Sequence, residues 1–231
     1  MNDAELRAWR KTQRDERVTL RLALDRATLD EYRHRIDQYL EQGFPNLARG
    51  IIGLCWPFKN EYDPRHLAAR LRARGAMTAL PVVVGPKQPL AFRQWQPGVP
   101  MAIGVYDIPY PASGALVVPN TLLIPMNGFD QAGFRLGYGG GFFDRTLAAM
   151  SPRPATIGVT FELAAIATIH PQPYDIPMDY VVTERGVYRR DPDGLVVLGV
   201  PHAQPIEFSS PVCFREELDP GYYGDSHKAG G

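Results

Sequence analysis

The sequence predicts an α/β protein, with one mostly parallel sheet and helices on both faces. Three observations carry this reading. Short, nearly continuous apolar runs recur at residues 51–55, 78–84, 122–124, 156–161 and 180–182, as strands buried on both sides require. Helical periodicities with capping residues fall between them. The 22 prolines and 22 glycines are scattered between the runs as turn and strand-end punctuation.

The elements follow in order. Residues 4–24 mix many arginines with Leu6, Trp9, Val18, Leu20, Leu22 and Leu24, and read as one or two helices. Thr28-Leu29-Asp30-Glu31 has the form of a capping box opening a helix with Tyr32, Ile36, Tyr39 and Leu40 on one face, ended by Gly43. A buried strand at 51–55 precedes a helix with Asp63 as N-cap and Pro64 in its first turn. Leu67 and Leu71 face inward there, and Gly75 ends it. Residues 78–84 form the next strand, 90–95 alternate like a half-exposed one, and 97–119 are a Pro/Gly-rich connection. After the strand at 122–124 come a glycine cluster, a helix over 142–150, a strand at 156–161, a helix over 162–169 and a strand at 180–182. An edge strand at 195–200 closes a single domain of residues 1–203, and residues 204–231 form an appendage.

Composition narrows the function classes. The chain has 231 residues, 45% hydrophobic and 22% charged, enough to bury a core. Lys+Arg and Asp+Glu balance at 25 each, so no global field draws it to nucleic acid or an anionic membrane. A bound anion must be held locally. Two cysteines, Cys55 and Cys213, make no disulfide framework, and Cys55 reads as a buried core thiol. No apolar run is long enough to span a bilayer, and the N-terminus is charged rather than signal-like, so the cytoplasm is the expected location.

The most informative segment is Gly133-Phe134-Arg135-Leu136-Gly137-Tyr138-Gly139-Gly140-Gly141-Phe142-Phe143-Asp144-Arg145. It follows a strand and opens a helix. Glycines let backbone N–H groups approach an anion, the helix start adds unpaired donors, and Arg135 supplies a full charge. Asp144, at an exposed helix start, is placed to hold a hard cation bridging phosphates. A ligand-free tight turn is the other reading of the glycines alone. The segment lacks the Gly-Lys-Ser/Thr of a Walker loop and the distant acid of a dinucleotide fingerprint.

Residues 129–145 resemble the signature of 5-formyltetrahydrofolate cyclo-ligases: Phe-Asp, a short turn, Arg-Leu-Gly, a glycine loop, two aromatics and Asp. Glu61 in the loop Trp56-Pro57-Phe58-Lys59-Asn60-Glu61, then residues 80–83, 92–95, 156–159 and 175–184, are similar to further family segments in the same order. The resemblance implies a Rossmann-like sandwich related to phosphosugar isomerases and CoA transferases. It implies cyclisation of 5-formyltetrahydrofolate to 5,10-methenyltetrahydrofolate with ATP and Mg²⁺, in a monomer or weak homo-oligomer. By resemblance, Arg135, Leu136, Gly137, Tyr138, Gly139, Gly140, Gly141, Phe142, Phe143 and Asp144 hold ATP, with Arg135 and Asp144 catalytic. Asp144 and Asp175 hold the metal, and Glu61, Trp56, Tyr138 and Phe142 face the folate. Asp175 as a turn starter and Glu61 as a solvated loop acid are the plainer readings.

The family's N-terminal Lys-x-x-Leu-Arg helix touches ATP. Here one register ends at Leu6-Arg7, with Asp3 in the lysine place, and another runs through Lys11 and Arg14. The usual Gly-x-Ala before Phe129 is Met126-Asn127-Gly128, the usual Tyr-Tyr pair is Phe142-Phe143, and Tyr110 stands where an acid is common. Two rival readings share these residues: a non-catalytic nucleotide- or folate-binding paralogue, and an enzyme of this fold acting on another small molecule.

Overall fold

A computed structural model describes residues 1–198; Cys213 and the expected appendage 204–231 lie outside them. Helix α1 (Asp3–Leu22) is a single element. The Asn2 side chain accepts from the N–H groups of Ala4 and Glu5, and Glu5 accepts from Asn2 N–H, a reciprocal cap. Helix α2 (Arg26–Gly43) starts earlier than the sequence suggests. Asp25 is its N-cap and accepts from Thr28 N–H at 2.8 Å. Thr28 is therefore inside the first turn, because the acid one turn upstream takes its amide. Helix α3 (Arg65–Ala73) also shifts by one residue: Pro64 occupies the cap position, while the Asp63 side chain still accepts from Arg65 N–H.

The strands, in chain order, are β1 (Ile51–Gly53), β2 (Met77–Val82), β3 (Ala91–Gln94), β4 (Met101–Ile103), β5 (Pro109–Pro111), β6 (Leu116–Val117) and β7 (Thr121–Pro125). There follow β8 (Gly128–Phe129), β9 (Arg135–Leu136), helix α4 (Phe142–Ala149), β10 (Ala155–Val159), β11 (Tyr180–Thr183), β12 (Gly186–Asp191) and β13 (Gly194–Leu198). Nine strands form one sheet in the order β13-β12-β11-β10-β7-β1-β2-β3-β6. The five central strands, β11 to β2, run parallel. The flanking pairs β12–β13 and β3–β6 are antiparallel, so the sheet is mixed rather than mostly parallel. The 97–119 connection supplies the β4–β5 ribbon and β6.

Alternation along the central strands gives each face its own core. Leu123 and Ile157 pack with Ile36, Leu40, Leu67 and Leu71 of α2 and α3. Leu122 and Ile124 pack on the other face with Leu147 of α4, Met126 and Met178. Helices therefore cover both faces, as the sequence predicts. Gly53 sits in this packing because a Cβ there would strike Leu122 and come within 2.9 Å of the Phe92 ring. Gly53→Ala is expected to lower unfolding free energy by about 1–3 kcal/mol in urea titration.

The expected helix over 162–169 does not form; only a 3₁₀ turn at Glu162–Ala164 is present. Tertiary partners take its amides. Ile166 N–H bonds to Phe129 O at 2.9 Å, and Ile169 N–H to the Asp130 carboxylate at 2.9 Å, which holds the segment extended.

Chain direction places the functional loops. From β1 the chain crosses through α3 to β2 on one side, whereas from β7 it crosses through α4 to β10 on the other. Adjacent strands whose connections diverge leave a crevice beyond their carboxyl ends, where open α/β sheets bind ligands. The loop after β1 carries Glu61. The segment after β7 carries the β8–β9 ribbon and the glycine loop.

Candidate active site

A cavity of about 1260 Å³ opens at this crevice. Its wall draws on α1, the 55–61 loop, the 104–110 loop, the whole of 135–145 and residues 173–176. Every sequence-predicted site residue lines it: Lys11, Arg14, Trp56, Glu61, Arg135 through Asp144, and Asp175. The fold thus gathers the predicted residues from four separate stretches of chain.

One group of side chains centres on Glu61, whose carboxylate is only 5% exposed. Its Oε2 accepts from Phe58 N–H at 3.1 Å, and its Oε1 accepts from the Tyr138 hydroxyl at 3.0 Å. Arg21 lies 3.9 Å from Oε1 and donates to Tyr138 Oη, Asn127 Oδ1 and Lys59 O. Burial pushes the Glu61 carboxyl up to about 7, against the pull of Arg21 and Tyr138. Burial and the neighbouring Glu61 raise the Tyr138 hydroxyl as well. The loop is pinned next door: the Tyr62 hydroxyl donates to Asp37 on α2 at 2.6 Å. Glu61 is no solvated loop acid.

A second group surrounds the glycine loop. Arg135, on β9, is 8% exposed; it donates to Ile176 O at 2.8 Å and pairs with Asp144 Oδ1 at 3.1 Å. That same Oδ1 accepts from Ile176 N–H at 3.1 Å. Asp144 is therefore half-buried and engaged rather than sitting at an open helix start, because the 173–176 loop folds over α4. Arg10 reaches the same loop, donating to Ile169 O, His170 O and Asp175 Oδ2, the last at 2.6 Å. Gln172 N–H also donates to Asp175 Oδ2, so Asp175 does close a turn, and it does so facing the cavity. Gly139 and Gly141 have φ of 90° and 61°, left-handed backbone that suits glycine. The Arg14 guanidinium lies 3.4 Å from where a Cβ on Gly139 would stand. Burial, then the charge of Arg10, lowers the Arg14 pKa.

Lys11 differs from expectation. It lines the cavity mouth, but its side chain is 75% exposed and pairs with Asp15 one turn away. The two cations that α1 turns inward at a spacing of four are Arg10 and Arg14, as one helix face requires. Arg10 and Arg21 escaped the sequence reading. The signal was the arginine stripe Arg7, Arg10, Arg14, Arg17 and Arg21, whose alternating spacing of three and four puts every arginine of α1 on one helix face. Cys55 is a half-buried wall residue of the cavity, not a core thiol, and burial, then the charge of the neighbouring Glu61, pushes its pKa up.

A family model described as the 5-formyltetrahydrofolate cyclo-ligase family matches residues 10–184. The chain belongs to this family. A 5-formyltetrahydrofolate cyclo-ligase from Mycolicibacterium smegmatis is 32% identical over 181 residues, 70% of this chain and 93% of the relative. One from Haemophilus influenzae is 27% identical over 179 residues, 72% of this chain and 96% of the relative. Among solved structures, the fold is similar to an NMR structure of an Aquifex aeolicus 5,10-methenyltetrahydrofolate synthetase. The TM-score is 0.68 at 24% identity, covering 84% of this chain and 99% of that one. A synthetase structure from Mycoplasma pneumoniae gives a TM-score of 0.63 at 19% identity, covering 76% of this chain and 98% of that one.

The cyclo-ligase match opens at Arg10 and closes at Glu184, so it takes in every wall residue of the cavity from Arg10 onward. Among the described residues, no helix is long and apolar enough to cross a membrane. Nor does any group of three or more His, Cys, Asp and Glu side chains stand ready to hold a metal by protein ligands alone.

Proposed function

We propose that this protein converts 5-formyltetrahydrofolate and ATP to 5,10-methenyltetrahydrofolate, ADP and phosphate, with Mg²⁺. One observation carries the proposal. A single cavity holds a bare glycine loop bracketed by arginines together with a buried carboxylate, Glu61, suited to a pterin.

The donor set fits a magnesium nucleotide. Among the described residues, the bonds to Asp144 fall on Oδ1 and those to Asp175 on Oδ2. Each carboxylate keeps its other oxygen for a cation. Mg²⁺ typically takes one or two carboxylates and completes its shell with phosphate oxygens and water, so no larger protein cluster is needed. When bound, ATP supplies the phosphoryl group that makes the formyl oxygen a good leaving group, and Mg²⁺ spreads the phosphate charge.

The chain's own residues position and neutralise. The amides of 137–141, with Arg14 and Arg135, hold the phosphates where the charge shifts during transfer. A pterin edge offers two adjacent N–H groups, and the Glu61 carboxylate accepts both while Tyr138, Arg21 and Phe58 N–H fix its orientation. Trp56, held edge-on by Trp95 with ring centroids 6.0 Å apart, and Phe142 form apolar wall. Holding the formyl group and N10 against the phosphates makes ring closure effectively unimolecular.

The direct test mixes protein, 5-formyltetrahydrofolate, ATP and Mg²⁺ and follows the methenyl chromophore together with ADP. Folded protein that binds both ligands without making ADP would point to a non-catalytic paralogue.

A pH dependence follows from Glu61. Below pH 7 the buried group carries a proton that the pterin N–H groups must displace. The Kd for folate is expected to fall about tenfold per pH unit until about 7 and then level, while the Kd for ATP does not follow this curve. Glu61→Gln flattens the profile in fluorescence titration. The sign for stability is opposite. The folded state binds this proton more tightly than the unfolded chain, so ligand-free protein loses stability as pH rises from 4.5 through about 7.

A further inference from the structure

We infer that Arg145 is a further phosphate-binding arginine, which with Arg14 forms a guanidinium clamp on the glycine loop. The inference rests on the nucleotide reading above and names a residue that reading did not use.

Arg145 lies one residue beyond Asp144 in α4 and lines the cavity. Its Nη2 donates to Gly140 O at 2.7 Å, and its guanidinium lies 5.3 Å from the centre of the Phe142 ring. Nη1 is 2.8 Å from where a Cβ on Gly141 would stand. The guanidinium therefore rests on the bare backbone of the loop, as that of Arg14 does at Gly139. The two differ from their neighbours in charge balance. Arg10 and Arg135 each face a carboxylate; among the described residues, neither Arg14 nor Arg145 has one within salt-bridge distance. In both, Nε is buried without a hydrogen-bond partner, a donor whose burial is costly until something accepts from it. Two cations without a salt-bridge partner among the described residues, both resting on backbone that admits close approach, match a polyanion of at least two charges.

The simpler role for Arg145 is to tie the loop through Gly140 O. Arg145→Gln separates the two, because it keeps an N–H donor for that carbonyl and removes the charge. Binding of inorganic tripolyphosphate and of ATP is measured by calorimetry at two salt concentrations, with 5-formyltetrahydrofolate as the control ligand. The expected result is about tenfold weaker binding of both anions, a shallower salt dependence, and unchanged folate affinity. Arg145→Lys, which keeps the charge without the planar fork, is expected to fall between Gln and wild type. Wild-type anion affinity in Arg145→Gln would overturn the assignment while leaving the nucleotide reading intact. If Arg145→Gln does not fold, wild-type affinity in Arg145→Lys overturns it instead. Failure of the wild-type protein to bind either anion overturns both.

Discussion

Asp144→Asn is expected to lower methenyl formation on the order of a hundredfold or more. The amide oxygen can still accept from Ile176 N–H and from Arg135, the two bonds that Oδ1 makes. The other carboxylate oxygen, which would meet the cation, becomes an NH₂ group that cannot ligate it. The negative charge beside the buried Arg135 is lost as well, so a melting-temperature drop equivalent to about 1–3 kcal/mol accompanies the defect. Turnover against Mg²⁺ concentration separates the two effects, since a merely destabilised enzyme keeps its wild-type Mg²⁺ dependence. Wild-type turnover would refute the metal assignment of Asp144.

Glu61→Ala should act on the other substrate. It removes the acceptor for Tyr138 Oη and Phe58 N–H and the carboxylate nearest Arg21. On the proposed binding mode, two charge-assisted bonds to the pterin would be lost with it, each worth about 1.5–3 kcal/mol. The KM for folate is expected to rise on the order of a hundredfold, with the Kd for ATP near wild type. Arg21 keeps Lys59 O, Asn127 Oδ1 and Tyr138 Oη as acceptors, so the variant should fold with a lowered melting temperature. A loss confined to ATP binding would contradict the placement of Glu61 on the folate side.

What the sequence made legible follows from the range of the interactions involved. The glycine loop was readable because its signal is local: strand, bare backbone, helix start, with Arg135 and Asp144 at fixed offsets. Glu61 and Asp175 were readable only through a family pattern, since nothing near Glu61 in the chain announces Arg21 or Tyr138 as its partners. The helix expected over 162–169 was lost to long-range bonds from Phe129 and Asp130 that no local propensity encodes. Thr28 yielded the cap to Asp25 because two acceptable caps lay three residues apart, and the earlier one adds a turn. In α1 the inward face was legible in the spacing of its five arginines, but the family pattern drew the reading to Lys11 and Arg14 instead. Helix phase sets Arg10, which grips the 169–175 loop, about 100° from Lys11, which faces water.

That helix also works as a ruler. Arg10 meets the loop carrying Asp175, Arg14 the glycine loop, and Arg21 the Glu61 group, so one rigid rod indexes three walls over about 16 Å. Its length and phase are thus tied to the spacing of its contacts. One residue inserted between Arg14 and Arg21 would rotate the upstream arginines by about 100° relative to Arg21. No side-chain adjustment could bring both sets back to their partners at once.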